Sequence, residues 1–575
     1  MIHKSNSNSS IDSLTAYRGT GADLSSYQEE LQKQRSAKTL TMRRRANPWS
    51  LPIKCNYRST CKGSFLNGKM AAGGQEPPAT PKMSLDLFMK VMESNDNVQI
   101  VQLSDDITKM CETAPYVLED IIRSSEALEC FTNAFMFATE EDVTKSLLIS
   151  MTALFPLCGE NMDVIINCGL AFKLYDLLES CQSNNMDISS SQSSALCPTS
   201  NQFNNSEFLS STENSIENFG CLNNGMNSSV NSGNDVESMQ SRSILPYSIN
   251  LVISVSKFSS YGRNSLLCGG IHELLIKTAL TTHDSNISIG CCVALQFIFE
   301  NNENVDCDIV ENCFCALVQL LSLPHLQAKS AVLSMLRAIT CQMPKVVEQL
   351  CQAQVHLRVL RYIQSNSKFN QYNHFNHLNE DDSVMLISSL KLLSCLNIAS
   401  PQYLNEMFDN GLMSTLLSLM TTEYTADALH VLSKFTEKSP DTILSQLPSD
   451  FVERIIHLAN SSPFAILKES VFFLTIIIKK LDQQTLVDLI NPDVIGLLVD
   501  MLASGQNDII LCVLEALANM IHVAECGGKI QLFASLLYET DVFDALADLG
   551  ENRLTTVSDR AVSLTTKLNA AFHGM

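Results

Sequence analysis

From residue 83 onward, apolar residues recur every three or four positions, as in SLDLFMKVMES (84–94). That spacing places them on one face of a helix and predicts a chain of amphipathic helices. No alternation of strand and helix patterns is visible. The helical pattern runs to about residue 180, stops, and resumes near 244. Between these points, 181–243 is dense in Ser and Asn and poor in aliphatic residues. Such a segment cannot bury enough apolar surface to offset its ordering entropy, and a disordered insertion between two helices is expected. A shorter polar break is expected at Ser365–Asp382.

The helical blocks repeat a theme about 40 residues long, which points to a solenoid of stacked helical units. MTALFPLCGENMDVIINCGLAFKLYDLLES (151–180) and LSCLNIASPQYLNEMFDNGLMSTLLSLM (393–420) share one order: the end of a long helix, a loop, a helix, a polar residue plus Gly, then an apolar helix. Gly169 and Gly411 fall at the same place, where a tight helix–helix turn needs a positive φ. Further units read at 294–322, 335–363 and 472–504. Nine to ten repeats are expected from this length, and single repeats cannot bury their faces without stacking.

Charge divides the chain in two. Residues 1–82 hold 13 Lys and Arg against 5 Asp and Glu, whereas 83–575 hold 26 against 56. The whole chain carries −22. A basic arm on an acidic body suggests docking of the arm on an acidic surface, its own or a partner's. The same imbalance argues against nucleic-acid binding by the body. Within the arm, 71–82 (AAGGQEPPATPK) has the composition of a flexible linker.

The 20 Cys lie mostly in apolar stretches, for example Cys291, Cys292, Cys313 and Cys315. They read as reduced core residues of a cytosolic or nuclear protein. No zinc-type spacing is present, so no metal and no cofactor are expected. No secretory leader or run of 18 apolar residues was found, so no membrane span is expected. Phosphate loops, nucleophile elbows, HExxH and kinase motifs are absent, and the chain is not expected to be an enzyme.

Two segments resemble one family. YRGTGAD (17–23) followed by QKQRSAKTLTMRRRA (32–46) resembles the importin-β-binding arm of importin-α, with extra residues between the blocks. The stretch 508–572 resembles the last importin-α repeat. The resemblance implies an all-α, right-handed armadillo-repeat α-solenoid with a flexible basic N-terminal arm. It divides the chain into an arm (1–82, core about 17–46), first armadillo repeats (83–180), the insertion (181–243), and the remaining repeats with a C-terminal cap (244–572). Arg18, Lys33, Arg35, Lys38, Arg43, Arg44 and Arg45 would engage importin-β through charge-assisted bonds. The implied function is nuclear import of basic cargo proteins carrying a localisation signal, with shuttling between cytoplasm and nucleus and recycling by an export receptor. The family also implies that Met42–Arg45 can fold back onto the body as an internal competitor.

In importin-α, cargo is read by a ladder of Trp and Asn on the third helices. Here the one Trp, Trp49, lies in the arm. The ladder's Trp and Asn places fall on Met151 and Phe155, Val293 and Phe297, Ser334 and Ala338, and Leu393 and Asn397. Asn519, with Glu515 one turn before it, occupies the place in the last such helix. Asn397, Asn519 and Glu515 are therefore the cargo-binding candidates, and Asn at helix ends is also common for purely structural reasons. Two other readings remain: an armadillo scaffold for cytoskeletal or signalling partners, and a HEAT-like regulatory subunit, which should lack the Gly turn.

Overall fold

The structure, a computed structural model, describes residues 83–94, 96–189, 235–300, 302, 305–372, 379–461, 463–481 and 483–573. The arm, with its seven candidate basic residues, lies outside them, as does 190–234 of the expected insertion. Among the described residues every regular element is helical, with 28 α-helices and a few short 3-10 turns.

Ten of these helices close successive repeats as third helices. They are α1 (Asn97–Thr113), α2 (Glu141–Leu154), α3 (Asp235–Phe258), α4 (Ser285–Phe299), α5 (Leu326–Gln342), α6 (Glu380–Cys395), α7 (Thr425–Lys438), α8 (Phe464–Lys480), α9 (Asn507–Cys526) and α10 (Thr555–His573). Their starts are written locally. Asp96 caps α1 by accepting from the Val98 and Gln99 amides at 3.1 and 3.2 Å. Asp284 does the same for α4 through Asn286 and Ile287. Each such cap contributes about 1 kcal/mol by satisfying amides that have no partner inside the helix.

A pair of helices precedes most third helices, and at four of these junctions, Gly169, Gly270, Gln354 and Gly411, the joining residue is left-handed. Gly169 has φ +93° and Gly411 +88°. Between Val346–Gln352 and Val355–Tyr372 the same place is held by Gln354, at φ +59°, the one non-glycine residue with positive φ among the described residues. At Gln354 the left-handed geometry is therefore kept without glycine, whereas Ser124 joins its two helices at φ −89°.

Contacts divide the chain into two units. In the N-terminal unit (72–355 and 378–392), α1 packs on α2, α2 on α3, α3 on α4 and α4 on α5. In the C-terminal unit (356–377 and 393–575), α7 packs on α8, α8 on α9 and α9 on α10. A third helix with neighbours on both sides is buried nearly all round. In α8, Leu467, Val471, Phe473, Leu474, Ile476, Ile477 and Ile478 are all buried. Phe473 also meets Phe451 edge-on, with ring centres 5.7 Å apart.

The same arrangement explains α9. It is long and apolar enough to cross a membrane, although no such run was expected from the sequence. Its apolar positions, Ile509, Val513, Leu517, Met520 and Ile521, are buried, as befits a helix flanked by α8 and α10.

Helices enter both polar breaks. The helix Leu170–Ser189 and α3 reach into 181–243 from either side, and Val355–Tyr372 and α6 reach into Ser365–Asp382. Once packed turns have nucleated a helix, each further residue adds a hydrogen bond at little cost, so a polar tail can continue it.

Candidate functional site

Within each unit neighbouring third helices pack on one another, and the candidate residues lie on these helices or at their ends. In the C-terminal unit, Asn397 follows α6 in a short 3-10 turn and its Nδ2 donates to the Lys434 main-chain oxygen on α7 at 3.1 Å. Asn519 donates to the Ile478 oxygen of α8 at 2.8 Å. The two amides therefore have one role, a bridge from a third helix to the backbone of its neighbour.

Glu515 is half exposed and lies between two cations. Lys479 Nζ is 2.5 Å from its Oε2 and Arg560 Nη1 is 3.6 Å away. The hydrogen bond from Lys479 holds the Glu515 carboxyl below its ordinary value. One helix earlier, His430 Nδ1 is 3.2 Å from Glu469 Oε2.

The ladder places implied by the resemblance divide between core and face. Met151, Phe155 and Leu393 are fully buried. These three cannot form slots for a ligand, because the pattern of α2 and α6 turns them into the stack. One residue beyond Met151, Thr152 is half-buried, and its carbonyl accepts from Ser254 Oγ at 3.4 Å. Val293, Phe297, Ser334 and Ala338 are half-buried on the face. Ser334 and Ser330 both reach Ser388 on α6, at 3.3 and 2.9 Å.

What the sequence reading missed is a series of lysines seated on aromatic rings. In the N-terminal unit, Lys145 Nζ lies 5.1 Å from the Tyr247 ring centre, and Lys257 lies 5.9 Å from Phe297 and 5.3 Å from Phe258. In the C-terminal unit, Lys434 lies 5.6 Å from Phe472 and 3.4 Å from Glu437 Oε2. Each lysine stands one third helix before its cross-helix ring. Aligning lysines with aromatics one repeat later would have revealed them.

Among the described residues no group of His, Cys, Asp and Glu could hold a metal. Burial pushes the Cys111, Cys158 and Cys292 thiols up to about 12. Such thiols are packing residues, since the reactive form is the thiolate.

No family model and no curated protein matches the chain. Its fold has a solved counterpart. The crystal structure of an engineered protein from the Northeast Structural Genomics Consortium matches with a TM-score of 0.55, covering 85% of this chain and 99% of the other at 15% identity. At that identity the likeness establishes an all-α architecture of helices packed in succession and nothing about activity.

Proposed function

We propose that this chain is a non-enzymatic adaptor of the importin-α kind, in which the basic arm binds importin-β and the repeats hold basic cargo. The observation that carries the reading is the repeating unit of short helix, left-handed turn, second helix and third helix, seen at Gly169, Gly411 and Gln354. An acidic body supports it through long-range attraction for basic partners. Recycling by an export receptor and shuttling between cytoplasm and nucleus follow from the same reading. It calls for no cofactor.

The test is binding of residues 1–60 to importin-β, with Arg43, Arg44 and Arg45 all changed to Ala as the control. Tight, salt-sensitive binding that the triple variant loses supports the adaptor. Absence of binding at low salt removes the transport role.

A second reading, an armadillo scaffold for cytoskeletal or signalling partners, is favoured by the occupied rings. Tyr247, Phe297 and Phe472 already carry the chain's own lysines, and Glu515 is already paired. A face arranged in this way is poorly disposed to take a further lysine.

A further inference from the structure

The first described helix, Leu85–Met92, and the helix Ser125–Phe137 enclose a cleft of about 600 Å³. Its apolar lining includes Met89, Met92, Cys130, Ala134 and Phe137. Cys130, on its wall, donates its thiol to the Met89 carbonyl at 3.8 Å, where the two helices touch. Three carboxylates, Glu93, Glu126 and Glu129, stand exposed on its rim. Phe137 is 81% exposed, and Leu87 on the first helix is 58% exposed. A flexible thioether lining with an acidic rim suits an occupant that carries large apolar side chains and cations together.

The chain supplies such a segment immediately upstream. Residues 61–70, CKGSFLNGKM, combine Phe65, Leu66 and Met70 with Lys62 and Lys69. Met70 precedes Leu85 by 15 residues. That tether spans at most about 50 Å when extended and about 20 Å as a coil. The eight-residue cleft helix is only about 12 Å long, so the reach is ample. The more basic block that ends at Arg45 is a poorer candidate. Its tether is 40 residues, which lowers the effective concentration about fourfold, and it brings fewer large apolar side chains. The array's first repeat also needs cover, since terminal repeats of a stack expose faces that inner repeats bury.

We propose that residues 61–70 dock in this cleft, with Phe65, Leu66 and Met70 on the Met89–Met92–Phe137 surface and Lys62 and Lys69 against Glu93, Glu126 and Glu129. Docking anchors the arm close to the first repeat, so that 17–46 projects from a fixed point. The proposal stands apart from the transport reading and does not depend on importin-β.

The test uses the full chain. Cys130 alkylation is followed by site-resolved mass spectrometry in the wild type and in Phe65→Ser/Leu66→Ser. A zero-length carbodiimide cross-linker reports which carboxylates meet Lys62 and Lys69. The expected result is at least fivefold faster alkylation of Cys130 in the double variant, slowed again by a synthetic 60–72 peptide. Cross-links from Lys62 or Lys69 should concentrate on Glu93, Glu126 and Glu129. Equal Cys130 rates in the two proteins overturn the proposal and leave the cleft to a separate partner. Cross-links spread over acids elsewhere in the chain overturn it as well.

Discussion

Asn519 donates its amide to the main-chain oxygen of Ile478, 2.8 Å away in the last turn of the neighbouring helix. The last carbonyls of a helix have no partner within it, and Ile478 is fully buried. Asn519→Ala leaves that oxygen unsatisfied and is expected to cost about 1–2 kcal/mol. Because stacked repeats open locally, hydrogen exchange of the α8 and α9 amides is the measurement to make. Unchanged protection would show that the bridge contributes nothing.

The left-handed turn makes two substitutions act in opposite directions. Gln354 holds φ +59° despite its Cβ, so Gln354→Gly should stabilise by up to about 1 kcal/mol. At Gly411 an added Cβ would lie 3.2 Å from Ser414 Oγ in a backbone that disfavours it, so Gly411→Ala should cost about 1–2 kcal/mol. Thermal unfolding of the pair decides the matter, and shifts of the same sign would refute the account.

His272 predicts a pH dependence. It is 4% exposed, its Nδ1 has no hydrogen-bond partner, and its ring meets Phe299 edge-on. Burial lowers its pKa from 6.5, with a smaller opposing effect from Glu273. The unfolded chain therefore binds the proton more readily than the folded one. The stability this gives is present above pH 6.5 and is lost as pH falls through the folded value. His272→Leu should flatten the dependence between pH 7.5 and 5.5, read as the difference in urea midpoint at each end. A parallel loss in both proteins would mean that other groups dominate.

Lys434 tests whether the rings on the face can serve a ligand. Removing it uncovers Phe472. If the face takes basic segments, Lys434→Ala should bind a Lys-rich peptide about 2–5 times more tightly, the value of one exposed cation–ring contact. Fluorescence anisotropy against a Lys-to-Ser control peptide would register this. No gain favours the scaffold reading.

The helical repeats were legible because the apolar period is set by helix geometry and recurs with each unit. Gly169 and Gly411 marked the turn, while Gln354 hid its own because no sequence rule assigns positive φ to glutamine. Helices run into the edges of the polar breaks for a similar reason: helix propagation is governed by the packed turns behind it, not by the composition of the tail. The face was harder. Met151 and Leu393 were assigned by register with a family pattern, and an offset of one residue turns a third-helix side chain by about 100°, from face to core. The Lys145, Lys257 and Lys434 contacts depend on which helix lies beside which, a fact the linear pattern carries only through repeat spacing.

The 45 residues between Ser189 and Asp235 separate two helices that nevertheless pack against each other, whereas Thr281 and Ser285 are joined across three. The stack constrains only the two ends of such a junction, and each doubling of its length adds only about 0.6 kcal/mol of closure entropy. The junction is thus a natural insertion port. A reporter domain could be spliced there, or the whole stretch replaced by a short linker, while the helices on either side keep their register.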